Sequence, residues 1–596
     1  MSIEHLITEH LDIWTAADTE KKSGRGRSSG SAGSVYGVKK LRELILELAV
    51  RGKLVPQDEN DEPASELLKR IAAEKAKLIA EGKIKKDKSV SPSIEDNEKP
   101  FELPQGWAYS YLGDAVEIIR GITFPGSEKS NTPEKGRIAC LRTTNVQDQI
   151  EWDDLLYIRE QFVSREDQIL MPRDIVMSMA NSRELVGKVA LVGEEIQQKT
   201  SFGGFLGVLR PFLIEPRFIM ALLRTPHIRN DLIDSASQTT NIANISLAKL
   251  KPLLFAIPPL AEQHRIVAKV DELMALCDQL ENQHNNAAEA HEKLVAYLLG
   301  TLTQSQNAED FNTQWQRISE HFDTLFTTET SIDELKQTLL QLAVMGKLVQ
   351  QDPNDEPASE LLKRIQAEKA KLIAEGKIKK DKPLAAITEE EKPFDLPIGW
   401  EWVRLGQLIS LVSGKGFSAS EYINEGIRLF QIANVSLGFT KWEIENFLPV
   451  EYLDLYPDLV LVDGDVLVAL NRPLLNGKMK VCIISEEDLP AILYQRVGKF
   501  KFFGDYINTR YFYLFLQSRL FIDHLQTQLQ GSDQPFINQS QLVQFCFSLP
   551  PIKEQDLIVV KVDELMAICD QLKTRINEAN ELQRKIADVL VGQAIS

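Results

Sequence analysis

After Pro258-Pro259, apolar and small residues fall at Ile266, Val270, Leu273, Cys277, Leu280, His284, Ala287, His291, Leu294 and Leu298, in alternating steps of four and three once Val295 is left out. That is an a/d heptad held for more than four repeats, and it predicts a long helix with a narrow apolar seam. The same steps recur after Pro550-Pro551, at Ile558, Val562, Leu565, Cys569, Leu572, Ile576, Ala579, Gln583, Ile586 and Leu590. A Pro-Pro pair suits the start of a helix and not its interior. Each helix of about 40 residues would run roughly 60 Å. So narrow a seam must be buried against another helix. The other copy in the same chain is the obvious partner, and the expected pairing is antiparallel. Ile266, Val270, Leu273, Cys277, Leu280 and Ile558, Val562, Leu565, Cys569, Leu572 are the expected seam. His284, His291 and Gln583 interrupt it and would fix register at some cost in stability. The histidines read as seam residues, and no metal site is expected.

The heptads belong to a larger duplication. Leu41–Lys88 and Leu335–Lys382 are identical at 39 of 48 positions, at an offset of 294. PPLAEQHRIVAKVDELMALCDQLE from Pro258 answers PPIKEQDLIVVKVDELMAICDQLK from Pro550, at an offset of 292. LPQGW at Leu103–Trp107 answers LPIGW at Leu396–Trp400. Internal repeats dominate a fold reading, so the chain is read as two half-chains. Within the first repeat, Leu67, Leu68, Ile71, Leu78 and Ile79, echoed by Leu361, Leu362, Ile365, Leu372 and Ile373, mark an amphipathic helix. Near-identical surfaces in both halves suit two copies of one partner, and equally suit packing on their own half.

Between the matched blocks identity collapses. Residues 108–257 and 401–549 share scattered features: Asn145-Val146 with Asn434-Val435, Asp174 with Asp465, Gly187-Lys188 with Gly477-Lys478, and Asn244 with Asn538. One fold carrying two different surfaces is the inference. The expected segments are 1–40, an N-terminal stretch with the Gly/Ser-rich linker Lys21–Ser34; 41–95, the first repeat block; 96–257, a first variable module; 258–302, a long helix; 303–334, a connector; 335–390, the second repeat block; 391–549, a second variable module; and 550–596, the second long helix. The expected class is α+β, with two α/β modules separated by two long antiparallel coiled-coil helices in a pseudo-two-fold internal repeat. On B-DNA, ends separated by such a helix lie more than one duplex turn apart. Two unlike heads on a pseudo-dyad would then suit a split, asymmetric DNA sequence.

Reading bases requires Arg, Lys, Asn or Gln on loops or helix ends that reach a groove. The strand–loop–strand stretch from Asp174 offers Asn181, Arg183 and Lys188, and the stretch from Asp465 offers Asn471, Arg472 and Lys478. A second loop offers Thr239, Thr240, Asn241 and Asn244, with Gln534 and Asn538 in the other module. A third, glycine-bearing loop at Arg120–Gly126 and Ser413–Phe417 contributes Lys415, and its small residues would let backbone amides approach a phosphate. Trp107 and Trp400 are expected to pack beneath their modules.

Composition narrows the function. The chain has 596 residues with a formal net charge of −18, which argues against DNA binding through bulk charge. The two variable modules sum to −2 (100–257) and −5 (393–549), less acidic than the remainder. Five scattered cysteines with no C-x-x-C point to a reducing, cytoplasmic setting. The N-terminus lacks a secretory pattern, and no run of about 18 apolar residues predicts a membrane span. No G-x-x-x-x-G-K-[ST], no Asn- or Asp-Pro-Pro-aromatic tetrapeptide and no H-E-x-x-H occurs. The PDLVLVDGDV stretch with Asp458 and Asp465 lacks the acidic-x-Lys of a nuclease strand and reads as a strand edge with a turn.

The duplicated GKLV-x-QD-x-NDEPASELLKRI-x-AEKAKLIAEGKIKK block, the duplicated PP-[LI]-x-EQ…VDELMA-[LI]-CDQL helix and the exits IPPLAEQ and LPPIKEQ resemble the specificity (S) subunit of type I restriction–modification enzymes, most nearly the EcoAI-type (type IB) branch. The resemblance covers the chain from about Leu41 onward. It implies two target recognition domains, each reading half of a bipartite site in double-stranded DNA, with the conserved helices setting the spacing. It further implies docking of two methyltransferase subunits, the addition of two restriction (translocase/nuclease) subunits, and no catalysis by this chain. S-adenosylmethionine, ATP and Mg²⁺ would then belong to those partners, with no cofactor in this chain. Two other readings compete: a coiled-coil adaptor that binds no DNA, which leaves two divergent modules of equal size unexplained, and a degenerate DNA methyltransferase, against which the missing tetrapeptide argues.

Overall fold

A computed structural model describes residues 3–595 apart from 17–18, 21–33, 86–93, 97–98, 184, 235–236, 239–242 and 379–382. Nearly all of the Lys21–Ser34 linker lies outside the described residues. Two compact units result: residues 1–287 with 579–596, and residues 288–578.

In the first unit, helix α1 (Tyr36–Val50) carries Leu41, Leu44, Ile45 and Leu48 at helical spacing and buries all four. It stops at Gly52, whose φ is +69°. There the Lys53 amide donates to the Leu48 carbonyl at 2.9 Å, a Schellman cap. A Cβ on Gly52 would lie 2.5 Å from Pro104 Cγ and 2.9 Å from Trp107 Cζ2. The duplicated GKLV and LPxGW motifs are therefore two sides of one contact. Helix α2 (Ala64–Ala80) docks on the same place, because the Ala64 amide donates to the Gly106 carbonyl at 2.8 Å.

The variable module is built on strands β1 (Val116–Arg120), β2 (Ile175–Ser178), β3 (Ala180–Asn181), β4 (Val189–Leu191) and β5 (Leu206–Pro211). β1, β5, β2 and β4 form an antiparallel sheet in that order, with Met177 opposite both Gly207 and Val189. Helix α3 (Pro216–Arg224) follows. Strands β6 (Ser237–Gln238) and β7 (Ala243–Asn244) then join β3 in a three-stranded ribbon. A separate small sheet pairs Arg137–Leu141 in parallel with Thr200–Phe202.

Helix α4 (Leu260–Thr303) begins at the Pro-Pro pair. Its first residues join the module to the frame. Glu262 accepts from Trp107 Nε1 at 3.0 Å and from Gln57 Nε2 at 3.2 Å. Gln263 donates to the Pro258 carbonyl and accepts from the Glu215 amide at the start of α3, each at 2.9 Å. Trp107 is buried, as expected from its position after LPQG.

The second unit repeats the plan with helices α5 (Glu329–Val344) and α6 (Ala358–Ala374), strands β8 (Ile409–Ser413), β9 (Val466–Ala469), β10 (Val481–Ile483) and β11 (Val497–Phe502), and helices α7 (Thr509–Gln517) and α8 (Ile552–Ile595). The sheet order is β8, β11, β9, β10, the same as in the first unit. Trp400 Nε1 and Gln351 Nε2 both donate to Glu554, at 2.9 Å each. Gln555 donates to the Pro550 carbonyl at 3.1 Å and accepts from the Asn508 amide at 2.8 Å. The residues between the halves fold into helices, with Phe311, Trp315, Phe322 and Phe326 in a chain of ring contacts.

The seam residues are buried, but not against a long helix alone. Ile266, Leu273, Cys277 and Leu280, with Val270 half-buried, share a core with α1 and with Ala587 from the end of α8. Arg42 on α1 donates to both Asp278 and Glu281 at 2.7 Å. In the second unit Ile558, Val562, Leu565 and Cys569, with Leu572 partly buried, share a core with α5 and with Val295, Leu299 and Leu302. The expectation of one helix–helix seam needs this correction: the apolar stripe of α1 or α5 packs into the same core.

The heptad also slips. Leu294 is 48% exposed, whereas Val295, which the pattern omitted, is 2% exposed. In α8 the fully buried position is Ala587, not Ile586. A straight α-helix drifts roughly 20° per heptad, so over four heptads the apolar face moves by nearly one residue. Val295 and Ala587 each lie 29 residues after the first seam position, and 29 residues return a straight helix to within about 20° of its starting face.

Each long helix ends against a lysine of the GKLV motif. Lys347 donates to the Thr303 carbonyl at 2.9 Å, and Lys53 to the Ile595 carbonyl at 2.8 Å. A cation there satisfies terminal carbonyls and the negative end of the helix dipole.

Candidate nucleic-acid interface

In each module the described candidate residues lie off one end of the four-stranded sheet, the end opposite the attachment to the long helix. β1 and β2 finish there, and β4 and β5 start there; β8, β9, β10 and β11 repeat this. The strand–loop–strand stretch and the second loop, far apart in sequence, meet as one ribbon. Asn181 pairs with Ala243, and the Ile245 amide donates to the Met179 carbonyl at 2.8 Å. In the second module Asn471 bridges Phe536, and the Ile537 amide donates to the Leu470 carbonyl at 3.0 Å.

This register corrects two sequence matches. The Lys188 carbonyl accepts from the Ser178 amide at 2.9 Å, and it is the Lys480 carbonyl that accepts from Ala469 at 3.1 Å. Lys188 therefore corresponds to Lys480, not Lys478, because the second connection is one residue longer. Likewise Asn244 corresponds to Phe536. Asn538 stands at the start of the short helix Gln539–Leu542, where Ser246 stands in the first module.

Several candidates are already engaged. Lys188 Nζ donates to Gln147 Oε1 at 2.9 Å, and Lys480 Nζ to the Ile432 carbonyl at 3.1 Å. Both lysines brace a loop organised by a buried asparagine. Asn145 accepts from the Arg142 amide and donates to the Glu151 and Asp153 carbonyls; Asn434 accepts from Gln431 and donates to Lys441 and Ile444. Burial lowers the Lys480 pKa. Arg183 pairs with Asp234 at 2.9 Å, both exposed. Lys415 Nζ sits 4.2 Å from the Tyr456 ring centroid and donates to its hydroxyl at 2.7 Å. Asn181 Oδ1 accepts from the Ser182 amide, and Asn538 Nδ2 donates to Gln530. Lys478 follows the Asn476-Gly477 turn, where φ is +51° and +72°, a hairpin suited to Asn-Gly. It lines a groove of about 380 Å³ with Asp333, Glu334 and Asp523. Asn244 and Gln534 are exposed, whereas Thr239, Thr240 and Asn241 lie outside the described residues.

The glycine loop does different work from that expected. A Cβ on Gly121 would lie 2.1 Å from the Gly203 carbonyl oxygen, and one on Gly414 2.1 Å from that of Tyr494. The amides of Gly121, Ile122 and Gly414 donate to Leu206, Phe202 and Val497. These glycines let two backbones touch, and those amides are not available to a phosphate.

Sequence reasoning missed the turn between the small sheet and β5 or β11. Gly203–Leu206 and Tyr494–Val497 occupy the same place, since Gly207 and Gly498 pair identically with β2 and β9. The turn presents Phe205, 64% exposed, in one module and Arg496 in the other. No motif flags either residue, and only strand register aligns them. Exposed Arg120 lies at the end of β1 nearby.

Among the described residues no cluster of His, Cys, Asp or Glu could hold a metal ion, and no helix is long and apolar enough to cross a membrane.

The sequence profile of the type I restriction modification DNA specificity domain matches residues 104–290 and 397–582. The chain is 44% identical over 618 residues to the EcoAI type I restriction enzyme specificity subunit of Escherichia coli, and 40% identical over 608 residues to the EcoEI subunit of the same species, covering all of both chains in each case. Against the EcoKI specificity subunit of E. coli strain K12 the identity is 35%, over only 30% of this chain and 38% of that one. Two copies of the domain, and relatives matched from end to end, place the chain in the family of type I restriction enzyme specificity subunits, on the EcoAI-like branch, as a non-catalytic subunit with two DNA specificity domains.

Proposed function

We propose that this chain reads an asymmetric, bipartite site in double-stranded DNA, one half with each variable module, and holds the two halves at a fixed spacing through α4 and α8. The observation that carries this reading is the sheet end: two modules of one topology and one register present different side chains at equivalent places. Ala180, Asn181, Asn244 and Phe205 in the first stand against Asn471, Arg472, Phe536 and Arg496 in the second. Antiparallel long helices are supported by the core of each unit, which includes the far end of the other half's helix. The two modules are taken as residues 96–257 and 391–549.

The near-identical repeat blocks suit two copies of one methyltransferase subunit, with two restriction subunits completing the enzyme in the cytoplasm. S-adenosylmethionine, ATP and Mg²⁺ would act in those partners. The test is to exchange residues 96–257 for the matching segment of a relative and map methylated bases in cells carrying the partners. One half of the methylated sequence changes and the other stays. A site that is unchanged, or altered in both halves, counts against the proposal.

A further inference from the structure

The turn that aligns Phe205 with Arg496 carries an inference that rests on the DNA-reading proposal and goes beyond it. Arg496 has a φ of +70°, in the left-handed region that favours glycine. Arg472, in the bend that follows β9 and the Asn471–Phe536 bridge, has a φ of +47°. The Arg496 carbonyl accepts from the amide of Leu470, two residues before Arg472, at 2.9 Å, and the Arg472 amide donates to the Pro535 carbonyl at 2.6 Å. Both side chains are exposed, and among the described residues neither guanidinium has a partner. Most other arginines of this unit are paired: Arg364, Arg404, Arg428 and Arg510 each hold a carboxylate. Two exposed arginines, unpaired among the described residues and held on strained backbone, are arranged for something outside the chain.

The first module has the same turn with a different tip. The Phe205 carbonyl accepts from the Met179 and Ala180 amides at 2.9 and 3.2 Å, so its position is as fixed as that of Arg496. Phe205 is an exposed residue. An exposed aromatic ring on a braced turn gains nothing from folding; it gains from contact with an apolar surface.

We infer that this turn is a specificity-determining position in both modules. Arg496 reads a guanine edge in the major groove, where a guanidinium bonds O6 and N7 together. Phe205 packs against a thymine methyl group. The pair accounts for divergence at one structural position by a change of base read.

The experiment uses the full chain with its methyltransferase and restriction partners and reads methylated sequences genome-wide. The first variant is Arg496→Gly, which suits the left-handed backbone and so preserves the fold. Preference for guanine at one position of the second half-site falls by about ten- to a hundredfold. The first half-site is unchanged. Phe205→Ala lowers thymine preference at one position of the first half-site by about three- to fivefold. If Arg496→Gly leaves the methylated sequence intact while exchange of residues 391–549 alters it, the inference is wrong and the modular reading stands. If the exchange also changes nothing, the underlying proposal has failed. Uniform weakening across all sequences, with a shallower salt dependence, would make Arg496 a phosphate contact and overturn base reading.

Discussion

Arg496 shows how a side chain valuable to a binding surface can be a burden to the fold. A left-handed arginine costs about 1–2 kcal/mol, part of which glycine would return through its own entropy cost. Arg496→Gly is therefore expected to stabilise the chain by about 0.5–1 kcal/mol, read as a rise in the thermal unfolding midpoint. A fall would mean that the arginine has a packing role. Glu262 and Glu554 illustrate the opposite case, groups that serve only the fold. Burial raises both above the ordinary glutamate range, opposed by the donors on Gln57, Trp107, Gln351 and Trp400. A carboxyl group whose folded pKa is raised stabilises the fold below its unfolded pKa of about 4.3, and that contribution is lost as the pH rises through the folded value. Glu262→Gln, which mimics the protonated form, should gain stability relative to the natural chain between pH 4.5 and 7. Melts at both pH values check the sign, and a constant difference would show that the carboxylate is solvated.

At the scale of elements, glycine caps and helix drift are the most readily tested. Gly52 and Gly82 both end helices with φ near +70°, but only Gly52 has Pro104 and Trp107 against it. Gly82→Ala should cost about 1 kcal/mol of strain, whereas Gly52→Ala should cost about 2–4 kcal/mol once overpacking is added. In α4, Val295→Ala should cost about 1–2 kcal/mol and Leu294→Ala less than about 0.5 kcal/mol. Equal costs would restore the strict heptad. The long helices were legible because a seam repeats many times, and the GKLV and LPxGW motifs because they occur twice. The slip at Val295 was not legible, since a heptad template assumes supercoiling that these helices do not sustain. The lysine match failed for a related reason. Lys188 and Lys478 both follow glycine, but one extra residue in the connection moves the equivalent place to Lys480, and only the hydrogen-bonded ladder reveals it. The ribbon joining Asn181 to Ala243 was likewise hidden, because two-residue strands have no period to detect.

For the whole molecule, the charge balance limits what this chain does alone. A net charge of −18, with neither module basic, gives few phosphate contacts and a weak counterion-release contribution. The purified chain should bind its own site weakly at physiological salt and gain affinity when the methyltransferase partner is added, measured by fluorescence anisotropy over a salt series. Tight binding by the chain alone would shift the burden of DNA affinity onto the modules. The Glu262-Gln263 and Glu554-Gln555 pairs act at this scale as well. In each pair the glutamate holds the tryptophan that begins a module, and the glutamine holds the amide of the residue that caps the module's α3 or α7 helix. A socket of this kind specifies two backbone positions and one indole, and is indifferent to what the remainder of the plug carries. Hybrids spliced within Leu103–Trp107 and Pro258–Gln263 inherit a finished joint, so new sequence preferences require no redesign of the mount.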